Sequence, residues 1–342
     1  MIHSLAETAD LPIRSPSKHR GIKKMNKPNP ALLALLLGLS LSPAAMASCG
    51  SAFCTVNTNW TAESALAEAR SSYDLRYESI NQDQPMAGSE RIAVGQVPHH
   101  HDEVSTFNRN LLASYSHNFG SGWGLTISAP LGQRNHEHDH HGAKITETWR
   151  FTEPGDARVS ARYQLLATAN PLAPSVGGIT FGLKLPTGKI DVRNEEGELA
   201  ERSLQPGTGT TDLLLGGYFH HKLVREDASW FVQAQYQHAL NSHAQFKPGA
   251  QLGFDLGYRK GVGQKLGLMV QLNVLHKQSD SGAEAEPADS GGRFVFASPG
   301  ISYALPGGAQ LYGFVQQPLY RHVNGVQLSA ARAFLVGVSG HL

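Results

Sequence analysis

A chain of 342 residues carrying 29 basic and 28 acidic side chains has a net charge of only +1. Its lysines and arginines form no stripe of the kind that phosphate binding requires, which excludes a general nucleic-acid partner. The length fits one large barrel or more than one domain, and 36 glycines with few helix-forming stretches lean toward β structure.

In chain order, the long apolar run is ALLALLLGLSLSPAAMA, residues 31–47. Its purely hydrophobic part, about 11 residues, falls short of the ~20 that a spanning helix needs. Lys23, Lys24 and Lys27 precede it and Ala45-Met46-Ala47 follow, the pattern of a secretory signal peptide cleaved after Ala47. Met25 competes with Met1 as the start. The mature chain then opens SCGSAFC, and in an oxidising compartment Cys49 and Cys54 are expected to close a small disulfide loop, with acylation of Cys49 as the competing reading. Thr55–Arg70 carries a turn or two of helix, placed at a mouth or inside a lumen.

From residue 70 onward apolar residues alternate at period two, the signature of strands. In SSYDLRYES, Tyr73, Leu75 and Tyr77 oppose Asp74, Arg76 and Glu78; in SWFVQAQYQHAL, Trp230, Val232, Ala234 and Tyr236 oppose Gln233, Gln235 and Gln237. Twelve segments follow this rule: 70–79, 105–119, 122–131, 155–167, 176–186, 212–224, 229–240, 250–260, 264–277, 292–304, 309–318 and 327–342. Most have the ~9–11 residues that a tilted strand uses to cross a bilayer. In the last, Leu328, Ala330, Phe334, Val336, Val338 and Leu342 share the apolar side. Alternation alone does not separate a soluble sandwich from a membrane barrel.

The connections separate them. Those at 80–104, 132–154, 187–211 and 278–291 are long and polar, those at 168–175, 241–249 and 319–326 medium, and those at 120–121, 225–228, 261–263 and 305–308 tight. Long connectors at one rim and short turns at the other define an up-and-down transmembrane antiparallel β-barrel of about 12 strands, with short periplasmic turns and long extracellular loops. The domains read as 1–47 extension and signal peptide, 48–69 periplasmic segment, 70–342 outer-membrane barrel. Its partners would be outer-membrane lipid, the barrel assembly machinery and a small-molecule solute, in a Gram-negative bacterium. The chain closes on Leu342, where a terminal Phe or Trp is usual for such assembly.

GDARVSARYQL (155–165), FGLKLPTGK (181–189), LQPGTGTTDLLLGGYF (204–219) and SPGISY (298–303) resemble the outer-membrane barrel family associated with the meta-pathway of phenol degradation, over roughly residues 105–342. CGSAFCTVNTNW with the His-rich loops is similar to one proteobacterial branch of it. Members are often called transporters. The resemblance implies passage of small molecules, hydrophobic aromatic ones among them, and it carries over no catalytic residue.

Two histidine clusters remain. VPHHHDE holds His99, His100 and His101 beside Asp102 and Glu103; GQRNHEHDHHG holds His136, His138, His140 and His141 with Glu137 and Asp139. Both fall on connections at the extracellular rim. Imidazoles with nearby carboxylates suit zinc, copper or nickel, so a surface metal-binding barrel is the alternative function. No cofactor is required by the channel reading, and neither spacing matches a catalytic zinc motif. No Gly-x-Ser-x-Gly elbow marks a nucleophile, and no enzymatic activity is expected. RNEEGELAER (193–202) reads as a solvated charge run. Permeation is assigned to the inward polar face: Asp156, Arg158, Arg162, Gln233, Gln235, Gln237, Asp255, Arg259, Gln271 and Asn273.

Overall fold

The computed structural model describes residues 55–58, 71–97, 102–139, 146–168 and 170–342. The strands are β1 (Ser71–Ala87), β2 (Glu90–Arg91), β3 (Asp102–Gly120), β4 (Trp123–Asp139), β5 (Thr146–Pro154), β6 (Arg158–Ala167), β7 (Ser175–Lys184), β8 (Asp212–Leu223), β9 (Ala228–Ala239), β10 (Gln251–Val262), β11 (Leu266–Lys277), β12 (Gly292–Ala304), β13 (Gln310–Val323) and β14 (Val326–His341). All pairings are antiparallel, and β14 returns to β1, from Ser72 opposite His341 to Ala87 opposite Val326. Twelve strands close the ring; β2 and β5 are additions to β1 and β4.

Closure satisfies the backbone without water, and the side chains sort as a lipid solvent demands. Ile301 is 58 % exposed and Leu268, Tyr258 and Leu75 are exposed with it, whereas Asn273 is 0 % and Glu78 1 % exposed. β4 shows where the apolar band stops. Its outward residues run Trp123, Leu125, Ile127, Ala129, Leu131 and then Gln133, Asn135, Glu137. The membrane therefore ends just above Leu131, and the strand continues into water.

That continuation corrects the expected loop at 132–154. β4 and β5 form a hairpin in register from Leu131 opposite Pro154 to Asp139 opposite Thr146. Below it, β6 takes over as the neighbour of β4, from Ser128 opposite Arg158 to Trp123 opposite Tyr163. β1 and β3 are extended likewise. Apolar alternation fails as a guide there because neither face of such an extension meets lipid. The expected loop at 319–326 also shrinks, to the two residues between β13 and β14.

The charge run at 193–202 is not a solvated face throughout. Ala200 and Leu204 pack on Trp149 of β5. Trp149 donates its indole N–H to the Glu198 carbonyl at 3.2 Å, and Arg134 of β4 donates to the carbonyls of Ser203 (3.3 Å), Leu204 and Gln205 (3.4 Å). The long connection between β7 and β8 is thus folded against the inner wall of the hairpin. Burial, with Glu286 and Glu103 nearby, raises the pKa of Glu201 above the usual carboxylate range.

Candidate functional site

Inside the barrel the polar face forms three tiers. Nearest the long loops, Lys184 of β7 sits between Asp156 (3.0 Å) and Asp212 (3.2 Å). Thr208 donates its backbone N–H to Asp156 at 2.9 Å, Thr210 its hydroxyl to Asp212 at 2.7 Å, and Gln237 its amide to Asp212 at 2.6 Å. Arg158 then donates to Gln237 at 3.2 Å. Lys184 and Asp212 escaped the sequence assignment, although Lys184 continues the alternation of FGLK; their neighbours Asp156, Arg158 and Gln237 did not.

The middle tier is occupied by the chain's own N-terminal segment. Of the two places open to it, mouth or lumen, Thr55–Thr58 takes the lumen. Val56 is buried beside Phe231, Met269 and Phe314. The Asn57 backbone N–H donates to Gln271 at 3.0 Å and its carbonyl accepts from the same amide at 2.8 Å, while its side chain donates to Gln233 at 2.5 Å. Arg76 donates to Thr58 at 2.8 Å, and Gln316 to Thr55 at 2.5 Å. Asn273 donates to Asp255 at 2.8 Å at the same level. Gln235 faces inward between Gln233 and Gln237 on β9. At the opposite rim Arg162 reaches Asn118, and Arg259 stands 3.8 Å from Asp227. Side chains of β1, β9, β11 and β13 thus hold the segment across the interior of the barrel.

One backbone ladder of the wall is interrupted, although side chains fill the interruption and Leu328, Ile80 and Ala333 are buried there. β13 pairs with β14 only from Gln310 opposite Ser339 to Gln316 opposite Ala333. Above that rung β13 stays with β12, up to Val323 opposite Gly292, and β14 stays with β1, up to Val326 opposite Ala87. Between them the ladder is open. Pro318 has no N–H to give, and Leu319 is left without a partner on β12 where Val295 faces Tyr320 and Phe296 faces Pro318. On β14 the register slips as well, with Ile80 opposite Ala333 but Gln82 opposite Ala330. The slip overturns the expected outward placing of Leu328 and Ala330: with one extra residue the parity reverses, and Leu328 is 0 % exposed.

Beside the interrupted ladder lies a recess of about 30 Å³, room for one or two waters in the closed wall. Its lining is mixed: Ile80, Phe294, Phe296, Pro318 and Leu328 are apolar, while Gln82, Gln316, Ser329 and Arg332 bring polar and charged groups. Phe294 and Phe296 stack with centroids 6.2 Å apart. Leu319, 63 % exposed, and Tyr320 carry the apolar outer surface up its flank. The sequence reading missed this site because it ended the strand at Pro318; a proline inside a run that otherwise alternates was the available signal.

The histidines are placed otherwise than expected. His136 and His138 lie on the inward face of β4, 0 % and 4 % exposed, against Trp149 at 5.8 and 4.9 Å. His136 shares a hydrogen bond of 2.8 Å with Thr106, and His138 one of 2.9 Å with Glu147. They are not solvated loop residues, because β4 continues through them as a strand. His99, His100, His101, His140, His141, Cys49 and Cys54 lie outside the described residues. Among the described residues no three of His, Cys, Asp and Glu are grouped to hold a metal.

Burial, with His138 and Arg134 close by, lowers the His136 pKa from 6.5 to about 3. The unfolded chain therefore takes up a proton below pH 6.5 that the folded chain refuses. This group lowers stability as pH falls from 6.5 toward 3 and has no effect above 6.5. The expected slope is about 1.4 kcal/mol per pH unit. His136→Gln should flatten the acid limb by that one proton in denaturant unfolding from detergent micelles; parallel limbs for the two proteins would refute the assignment.

A closed antiparallel ring with an apolar outer band and a polar interior is the architecture of outer-membrane β-barrels. Within that class, the chain is similar in fold to an outer membrane channel of Pseudomonas putida F1, with a TM-score of 0.60 at 14 % identity, covering 80 % of this chain and 96 % of that one. The monoaromatic hydrocarbon channel CymD aligns at a TM-score of 0.41 and 8 % identity, over 85 % and 94 % of the two chains. A Pseudomonas aeruginosa FadL homologue aligns at 0.36 and 10 %, over 87 % and 95 %. These two weaker alignments add nothing to the fold assignment. No family model and no curated protein matches the chain.

Proposed function

We propose that the protein is a passive outer-membrane channel for small apolar solutes, aromatic ones included, and that they leave the lumen sideways through the opening between β13 and β14. The observation that carries this reading is the interruption of the β13–β14 ladder, where the two strands can part without breaking backbone pairs. A solute moving from it into the bilayer stays out of water and gives up none of the ~25 cal/mol per Å² gained by burying its surface. A sugar or an ion on the same route sheds its hydration without repayment. The axis is crossed by Thr55–Thr58, which is bonded to opposite walls and stands in the way of a path along it. The likeness to the Pseudomonas putida channel and the resemblance to the phenol-degradation family are consistent with this reading, and neither supplies a catalytic residue.

Reconstitution into liposomes tests it. A one-ring aromatic trapped by an enzyme in the liposome interior should enter faster with the protein than without it, while swelling in sugar solutions should stay near that of empty liposomes. Sugar permeation at the rate of an open porin, with no acceleration of the aromatic, would refute the reading.

A further inference from the structure

We infer that Arg321 sets the upper edge of the lateral opening and thereby the size of solute that passes it; this rests on the sideways route proposed above. Below the opening, the rung of Gln316 and Ala333 is a fixed sill, since the ladder from there to Gln310 and Ser339 is unbroken. Above it, among the described residues, Arg321 makes the hydrogen bonds that cross from this part of β13 to β14 and β1, and His322 shares one of 3.0 Å with Ser89 closer to the turn. Its Nη1 donates to the Ala330 carbonyl at 2.8 Å and to the Ser329 hydroxyl at 3.3 Å, and its Nη2 donates to the Gln84 side-chain oxygen at 2.9 Å. One guanidinium thus ties β13 to β14 and to β1, across strands whose backbones have parted. It also satisfies a carbonyl that the broken ladder leaves without its usual partner.

The chemistry of the acceptors matters. A carbonyl, a hydroxyl and an amide are all neutral, so withdrawal of the guanidinium strands no buried anion, as it would at an Arg–carboxylate pair. The tie can therefore be released and remade. Its rigid fork, with several donors in one plane, spans two neighbouring strands in a way that a single ammonium does not. Beyond Arg321 the hairpin turn has its own fastening: Val323 donates its backbone N–H to the Gly88 carbonyl at 3.0 Å, and Gly88 to the Gly325 carbonyl at 3.2 Å. With Arg321 removed, the upper edge moves from Ala330 to this turn, and the aperture lengthens along the strands instead of the barrel falling apart.

The test compares uptake of a one-ring and a four-ring apolar probe into liposomes carrying Arg321→Met, Arg321→Lys or Gln84→Leu, with folding checked by resistance to denaturation in cold detergent. In Arg321→Met both rates should rise, and the ratio of four-ring to one-ring uptake should rise roughly tenfold, the scale on which one lost hydrogen bond to a charged group is felt. Arg321→Lys should fall between, and Gln84→Leu, which cuts the tie from its other side, should shift the ratio in the same direction. An unchanged ratio in folded Arg321→Met and Gln84→Leu overturns the role of Arg321. The lateral route itself stands or falls separately, on whether the unaltered protein accelerates the one-ring probe and whether plugging the recess stops it.

Discussion

Ala330→Trp is expected to cut uptake of a one-ring aromatic by about tenfold or more while leaving the barrel assembled. Ala330 lines the recess and is only partly buried, so an indole would overflow the recess on its open side and cover the interrupted ladder that the solute would use. Overpacking a filled core costs roughly 1–3 kcal/mol, and a half-open site costs less than that. Its backbone carbonyl remains available to Arg321, because that contact does not involve the side chain. Ala234→Trp, on the lipid-facing side of β9 and far from the opening, provides the control for a bulky residue in the wall. If both variants transport the aromatic as the unaltered protein does, solute does not use the recess.

Removal of residues 48–58 is expected to produce the opposite phenotype, an ion leak. Asn57 alone is bound at three points to Gln233 and Gln271, and Thr55 and Thr58 add Gln316 and Arg76. A net anchoring of about 1.4 kcal/mol is enough to keep such a segment seated nine-tenths of the time. Its loss should therefore raise the time-averaged conductance of a channel roughly tenfold. The three amides and Arg76 left on the wall would be hydrated by the water that replaces the segment. Aromatic uptake should persist, since the opening between β13 and β14 does not include these four residues. Conductance unchanged by the deletion would mean that the axis is closed elsewhere, with the folded loop against Trp149 and Arg134 the next obstruction.

How much of this the sequence disclosed follows from where lipid is. Within the bilayer the outward face must be apolar, so the pattern of Leu252, Phe254, Leu256 and Tyr258, or of Leu266 through Val274, was legible, and with it the ring of twelve. Asp156, Arg158, Gln233, Gln271 and Asn273 were placed inward by the same parity. Above the bilayer the constraint vanishes: β4 passes from Leu131 to Gln133 and Asn135 with no change in backbone, and the strand reads as a loop. His136 and His138 were misplaced for that reason. The opening was hidden by a different effect. Pro318 and the register slip at Ala330 each break alternation for one residue, and only the pairing of whole strands shows that both breaks fall beside the same gap. The seat of Thr55–Thr58 depends on contacts with strands up to 261 residues away along the chain, which no local pattern encodes.

Where the solute goes is most directly read by photolabelling. A small apolar probe bearing a diazirine, irradiated with the protein in bilayers and mapped by peptide sequencing, should leave its adducts on the peptides of Phe294 and Phe296, of Pro318, and of Leu328 and Ala330. Adducts confined to Thr55–Thr58, Gln233 and their neighbours on the barrel axis, with none on β13 or β14, would contradict a sideways exit.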